Sequence, residues 1–173
     1  MCSSDLLITG GAGFIGSHLA RRLASKGEVV VLDDLSSGRT SNLEDVTCQF
    51  IQGSILEAKK LSEALQGVTH VFHLAAMVSV PESVQKPDLC RKINVEGTRR
   101  VLDSASQAGA KRVVLASSYA VFCLKNTLPK TENLPPSPLS PYASSKLEGE
   151  KLFASASLPA IALRFFNVYG QIG

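Results

Sequence analysis

The sequence predicts an α/β fold, a doubly wound parallel sheet of about six strands with helices on both faces. Three observations predict it. Short apolar runs alternate with helical patterns along the 173 residues, the rhythm of βαβ units with right-handed crossovers. The apolar runs lack polar alternation, as strands covered on both faces do. A glycine-rich stretch, Thr9-Gly10-Gly11-Ala12-Gly13-Phe14-Ile15-Gly16, joins the first apolar run to the first helical pattern.

The elements follow in order. Leu6–Thr9 reads as the first strand, and Phe14–Lys26, after the glycines, as the first helix. Strands are expected at Val29–Leu32 and Cys48–Gln52, then a helix at Glu57–Leu65 and a strand at His70–Leu74. A long helix is expected at Leu89–Ala108, followed by a strand at Val113–Ala116. The tract Asn126–Pro141 carries Pro129, Pro135, Pro136, Pro138 and Pro141. Proline fixes φ and cannot donate a hydrogen bond, so this is irregular surface chain. A connection this long is either a plain surface loop or a functional one. Its Ser-Pro-Tyr end leads into a helix at Tyr142–Ala156, and Ala160–Arg164 is the last strand. The predicted strand order is 3-2-1-4-5-6.

The totals fit one domain with a sizeable core. Hydrophobic residues are 45% and charged residues 19%, a well-buried composition rather than a disordered one. The 18 basic and 15 acidic residues leave +3. They are scattered without long runs, which reads as a solvated mixed surface and no nucleic-acid partner. Cys2, Cys48, Cys90 and Cys123 include no C-x-x-C pair and read as reduced thiols of a cytoplasmic protein. His18, His70 and His73 form no zinc pattern with them, so no metal is expected. No apolar stretch is long enough to span a bilayer, and residues 1 to 5 lack a basic leader. No membrane association is expected.

Gly10, Gly13 and Gly16 lie three apart between strand and helix. Missing side chains let backbone N–H groups approach a pyrophosphate, and the helix start adds a positive dipole end. Gly16 would let that helix pack close to the sheet. Seventeen residues past Gly16, Val29-Val30-Val31-Leu32 ends in Asp33. A carboxylate there can accept both hydroxyls of an adenosine ribose and would repel a 2′-phosphate, favouring NAD over NADP. Arg39 nearby weakens that preference. Asp33 could instead be a cap or turn residue. The two features in register point to dinucleotide binding.

Tyr142 and Lys146, four apart, share one helix face. A free tyrosine titrates near 10 and is a poor base at neutral pH. A nearby ammonium and a positive nicotinamide ring would favour its phenolate, which could then take a proton from a hydroxyl. Y-x-x-x-K also arises by chance on many helices. Ser118, at a strand end 24 residues before Tyr142, strengthens the chemical reading.

Taken together, Thr9–Gly16 with Asp33, the run His73-Leu74-Ala75-Ala76, Asn94, Ser117-Ser118 and Tyr142-Ala143-Ser144-Ser145-Lys146 resemble the extended short-chain dehydrogenase/reductase superfamily. Asp33-Asp34-Leu35-Ser36-Ser37-Gly38-Arg39 and Leu163-Arg164-Phe165-Phe166-Asn167-Val168-Tyr169-Gly170 are similar to the nucleotide-sugar epimerase/dehydratase family, nearest to its UDP-glucose 4-epimerases. The resemblance implies a Rossmann domain and an NAD-dependent isomerase, with hydride removed from and returned to a sugar C4. Ser118, Tyr142 and Lys146 would be catalytic. Cofactor contacts would come from Gly10, Gly13, Phe14, Ile15, Gly16, Asp33, Asp34, Ser36, Ser37, Gly38, Ser54, Ile55, Leu74, Ala75, Ala76, Asn94 and Phe166, with Tyr142 and Lys146. Ser118 and Asn167 would contact a nucleotide-sugar, a UDP-hexose. Leu74, Ala75, Ala76 and Phe166 suit core packing equally. A helix-interior Asn such as Asn94 hints at a buried hydrogen bond.

Three departures stand out. Ser54 replaces an aspartate that bonds the adenine amino group, Val121-Phe122-Cys123 replaces V-Y-G, and Val78 replaces a lysine common in the 4-epimerases. Members of that family are longer, and the extra chain forms most of a substrate lobe. Residues 1–173 are therefore expected to be the NAD-binding domain, the lobe lying beyond Gly173. The resemblance also implies a homodimer through helices 89–108 and 142–156. Two other readings stand beside the epimerase. One is a non-catalytic NAD-binding module. The other is a sister dehydratase or decarboxylase, disfavoured because Tyr119-Ala120 lacks the acids that dehydratases carry after the fifth strand.

Overall fold

A computed structural model of the chain describes residues 6–122 and 129–171. Cys2, Cys123 and residues 126–128 of the proline tract lie outside them. The strands are β1 (Leu6–Thr9), β2 (Val29–Asp33), β3 (Gln49–Gln52), β4 (His70–His73), β5 (Arg112–Ser118) and β6 (Ala160–Phe165). All neighbours pair in parallel, in the order β3-β2-β1-β4-β5-β6, as the sequence predicts. The helices are α1 (Phe14–Leu23), α2 (Ala58–Ala64), α3 (Val80–Gln85), α4 (Pro87–Arg91), α5 (Thr98–Gln107) and α6 (Pro141–Ala154).

Alternate strand residues feed two cores. Leu7, Val30, Leu32, Val71, Val113 and Leu115 face Leu61 of α2, Val101 and Ala105 of α5 and Phe153 of α6. Ile8, Val29 and Val31 face Ala20 of α1. Every residue of β2 is buried, which is why Val29–Leu32 shows no polar alternation. Each fully buried Leu or Val contributes about 1.5–3 kcal/mol. The α1 side is covered unevenly. In the register row Ile8, Phe72, Val114, Ile161, Ile8 is fully buried, Phe72 and Val114 are half-buried, and Ile161 is 44% exposed.

Two local features differ from the sequence expectation. The long helix expected at Leu89–Ala108 begins at Pro87, and residues Lys92–Gly97 form a π-turn between α4 and α5. Helix α3 was not expected at all. Its signal is Ser79-Val80-Pro81-Glu82, in which the Ser79 hydroxyl caps the Glu82 amide with proline in the first turn, a helix start. The helix is too short for a periodic pattern to reveal it.

Candidate functional site

The carboxyl ends of the parallel strands bring most of the expected site residues to one edge. Sheet order reverses between β1 and β4, and a crevice opens at such a point. The glycine loop fills one side of it. Gly10 has φ +71°, and a Cβ there would lie 2.6 Å from the Ala75 amide nitrogen. A Cβ on Gly16 would strike the Gly10 carbonyl and lie 2.6 Å from the Gly11 Cα. Gly13 is the N-cap of α1, with no side chain capping the helix start. Phe14, Ile15 and Gly16 form the first turn, and Leu74–Ala76 forms the opposite wall.

Asp33 organises the loop from the next strand end. Its Oδ2 accepts from the Ala12 amide at 2.9 Å, and its Oδ1 from Leu35 at 2.8 Å. The turn role anticipated as an alternative is therefore present. Burial pushes the carboxyl up, the two amide bonds act against it, and the Asp34 charge adds to the rise. Asp34 accepts from the Ser36 amide. Ser36 and Ser37 are exposed, and Gly38 lies so close to Ala12 that a Cβ would come within 2.8 Å of its carbonyl carbon. Arg39 and Asn42 both donate to the Ala12 carbonyl, so loop 34–42 clamps the glycine loop.

Ser54 stands after β3. Its amide donates to Glu57 Oε1, and its hydroxyl accepts from Leu56. Ile55 is buried against Gly97. Phe166 is 56% exposed in this chain rather than packed in its core, and stacks on Tyr119 with centroids 5.0 Å apart. Asn167 is exposed. Beyond it the chain folds back over α1, where His18 Nε2 hydrogen-bonds the Gln171 carbonyl at 2.7 Å. Phe14, Ile15, Val168 and Tyr169 help line a cleft of about 240 Å³ there.

The Tyr142 group forms at the end of β5. Ser140 caps α6 by accepting from Ala143, and Pro141 opens the helix. The Ser118 hydroxyl accepts from the Ala120 amide at 3.2 Å and lies near enough to Tyr142 to act on its phenol. Lys146 Nζ sits 5.9 Å from the Tyr142 ring centroid and donates to the Ala116 carbonyl at 2.8 Å. Burial lowers Lys146 to about 8, the Cys90 thiol acting against it. Burial also raises Tyr142 above its ordinary value, the Ser118 hydroxyl acting the other way and Cys90 adding to the rise. In this chain by itself, the Tyr142 pKa therefore moves away from the phenolate that the sequence reading expects.

Three groups support this edge, and the sequence reading gave no role to two of them, His73 and Glu150. Asn94, in the π-turn, was expected there. Its partners were not: Oδ1 accepts from the Met77 amide, and Nδ2 donates to the Met77 carbonyl and to Ser145 Oγ. His73 lies buried between Thr9 and Thr98. Glu150 accepts from Ser117 and takes a bidentate pair from Arg164, whose guanidinium lies 4.5 Å from the Phe122 ring centroid. Burial opposes ionisation of Glu150, yet the bonds from Arg164 and Ser117 hold its carboxyl below the ordinary range. Glu150→Gln is expected to cost about 1–2 kcal/mol, because Arg164 is left half-buried and unpaired. Urea unfolding at pH 7 checks this, and an unchanged midpoint would refute it. Among the described residues no buried side-chain N or O lacks a partner, no helix is long and apolar enough to cross a membrane, and no cluster of His, Cys, Asp and Glu could hold a metal.

Comparison with known proteins adds relatives. Residues 6–172 match the model of the NAD dependent epimerase/dehydratase family. A UDP-glucose 4-epimerase of Lactobacillus helveticus is 38% identical over 172 residues, covering 95% of this chain and 52% of that protein. A UDP-N-acetylglucosamine 4-epimerase from Methanobrevibacter ruminantium M1, solved with UDP-N-acetylmuramic acid, superposes with a TM-score of 0.91 at 33% identity, over 99% of this chain and 57% of the other. A dTDP-glucose 4,6-dehydratase from Streptomyces venezuelae, with NAD and TYD bound, gives 0.91 at 35% identity, over 97% and 57%. The chain spans about half the length of the curated relatives it matches. With the sheet order, the glycine loop and the match over nearly its whole length, the chain belongs to the NAD-dependent epimerase/dehydratase family.

Proposed function

We propose that this chain is the NAD-binding part of a nucleotide-sugar 4-epimerase of the UDP-glucose kind. The residues fit the cofactor. Gly10 and Gly16 keep open a cradle that a Cβ would fill, and the uncapped start of α1 offers backbone N–H groups to a pyrophosphate. Asp33 spends two acceptor sites on Ala12 and Leu35, and a carboxylate has about four, which leaves room for a ribose diol. NAD, when bound, would supply the hydride acceptor for chemistry at the sugar C4.

The observation that carries the reading is the Ser118–Tyr142–Lys146 group on the same sheet edge as this cradle. Tyr142 Oη takes the proton of the sugar hydroxyl, and Ser118 hydrogen-bonds the reacting oxygen. Lys146 stabilises the phenolate and holds the nicotinamide ribose. Ala120 stands where a dehydratase would need an acid, and Tyr119 is committed to the stack on Phe166, so epimerisation is preferred over dehydration. The substrate is a UDP-hexose, held jointly with a further lobe that packs over the open side of β5 and β6, where Ile161 and Leu163 are exposed. Residues 89–108 and 142–156, which pack against each other beside exposed Val84 and Leu89, form the homodimer contact. Free Cys48 and Cys90 fit a cytoplasmic setting.

Calorimetric titration of the chain with NAD⁺, with and without a UDP-hexose, and with NADP⁺ as control, tests the cofactor role. Saturable binding that prefers NAD⁺ is expected. No binding by a folded sample would sink the reading. The base role has its own signature. Burial holds Tyr142 protonated in the free chain, and a positive nicotinamide ring lowers a neighbouring phenol. Adding NAD⁺ should therefore bring out tyrosinate absorbance at a lower pH, and Tyr142→Phe should lack that change.

A further inference from the structure

The buried histidine of β4 has no place in the chemistry above, yet its hydrogen bonds can be arranged in one way only. The Asn94 carbonyl can only accept, so the Thr98 hydroxyl donates its hydrogen there, at 2.6 Å. Thr98 Oγ1 is then an acceptor for His73 Nε2, 2.9 Å away, and Nε2 carries the proton. His73 Nδ1 is left with a lone pair, and the Thr9 hydroxyl donates to it at 2.7 Å. Thr9 Oγ1 in turn accepts from the Ala75 amide at 3.3 Å. Thr9, His73 and Thr98 are each no more than 2% exposed, so water cannot replace any link.

The two ends of this chain of bonds reach the two halves of the site. Ala75 is the residue against which Gly10 packs. Asn94 fixes Met77 and Ser145, and the Ser145 hydroxyl donates to the Tyr142 carbonyl. We propose that His73 is a positioning residue whose one-way hydrogen-bond chain holds the glycine cradle and the Tyr142 helix in mutual register. Its functional consequence rests on the NAD-binding reading above. The charge that faces the ring is Lys146 on α6. Burial, then that charge, lowers His73 to about 3, so the direction of the chain persists across the working pH range.

Amide hydrogen exchange on the chain tests the register directly, with rates normalised to the buried amides of β2. Thr98→Val is expected to speed exchange at Ala75, which Thr98 does not touch, about five- to tenfold, the worth of one hydrogen bond. In a His73→Phe background the same substitution should add nothing at Ala75. Independent packing roles would change only the neighbours of each substitution, and that outcome overturns the proposal. A parallel NAD⁺ titration separates the two readings. If the parent chain binds NAD⁺, Thr98→Val should weaken it by a similar factor, and unchanged affinity would refute the positioning role. If the parent does not bind NAD⁺, the cofactor reading fails, while exchange at Ala75 still decides whether His73 sets the register.

Discussion

Gly16→Ala is expected to abolish measurable NAD⁺ binding and to cost about 3 kcal/mol of stability. The added Cβ would strike the Gly10 carbonyl and crowd the Gly11 Cα. Both are backbone, so no side chain can swing aside. Relief requires α1 to move away from the loop or the loop to move off Ala75. A shift near 1 Å of a preorganised group costs about 100-fold in function. Gly109→Ala is the matched control. Gly109 follows the C-terminus of α5, has φ +75°, and meets nothing within 4 Å. Its cost should be about 1 kcal/mol of backbone strain, with NAD⁺ affinity unchanged. Thermal unfolding and calorimetry on both variants give the comparison. A Gly16→Ala protein that binds NAD⁺ like its parent would remove the cradle from the cofactor site.

The same glycine shows what the sequence makes legible. Gly10, Gly13, Gly16 and Asp33 act within one βαβ unit, so spacing along the chain reports their proximity. Strand order is legible for a related reason: parallel strands need crossovers of one hand, which leaves few topologies. The departures come from interactions that sequence distance hides. His73 is visible as the start of the run His73–Ala76, but its bonds are not, because Thr9 and Thr98 lie 64 and 25 residues away. Glu150 carries no signal in the sequence, because its partners Ser117 and Arg164 lie 33 and 14 residues away. Asn94 was visible as an oddity in a helix, but the π-turn that aims it at Met77 depends on tertiary packing. For Tyr142, the lysine four residues on was legible, whereas the desolvation that raises the phenol belongs to the folded surroundings.

Lys146→Met is expected to make the protein more stable and its cofactor site worse. Lys146 is buried, and among the described residues its hydrogen bond runs to the Ala116 carbonyl rather than to a carboxylate. Burial depresses its pKa from 10.5 to about 8. Between these values the unfolded chain binds more protons than the folded one, so stability rises with pH from about 8 to 10.5. Below pH 8 the folded state carries the full penalty, about 3 kcal/mol at 1.36 kcal/mol per pKa unit. Methionine fills a similar volume without charge, so the gain at pH 7 should approach that figure, less the lost bond to Ala116. The difference between parent and variant should then shrink as pH rises toward 10. Urea unfolding from pH 7 to 10 reads the slope, and a constant difference would show that Lys146 carries no such penalty. NAD⁺ affinity should fall in the variant while stability climbs, because the ammonium that burdens the fold is the group assigned to the nicotinamide ribose. A cation kept in the interior at that cost, without a carboxylate partner among the described residues, is what the proposed support of a Tyr142 phenolate would require.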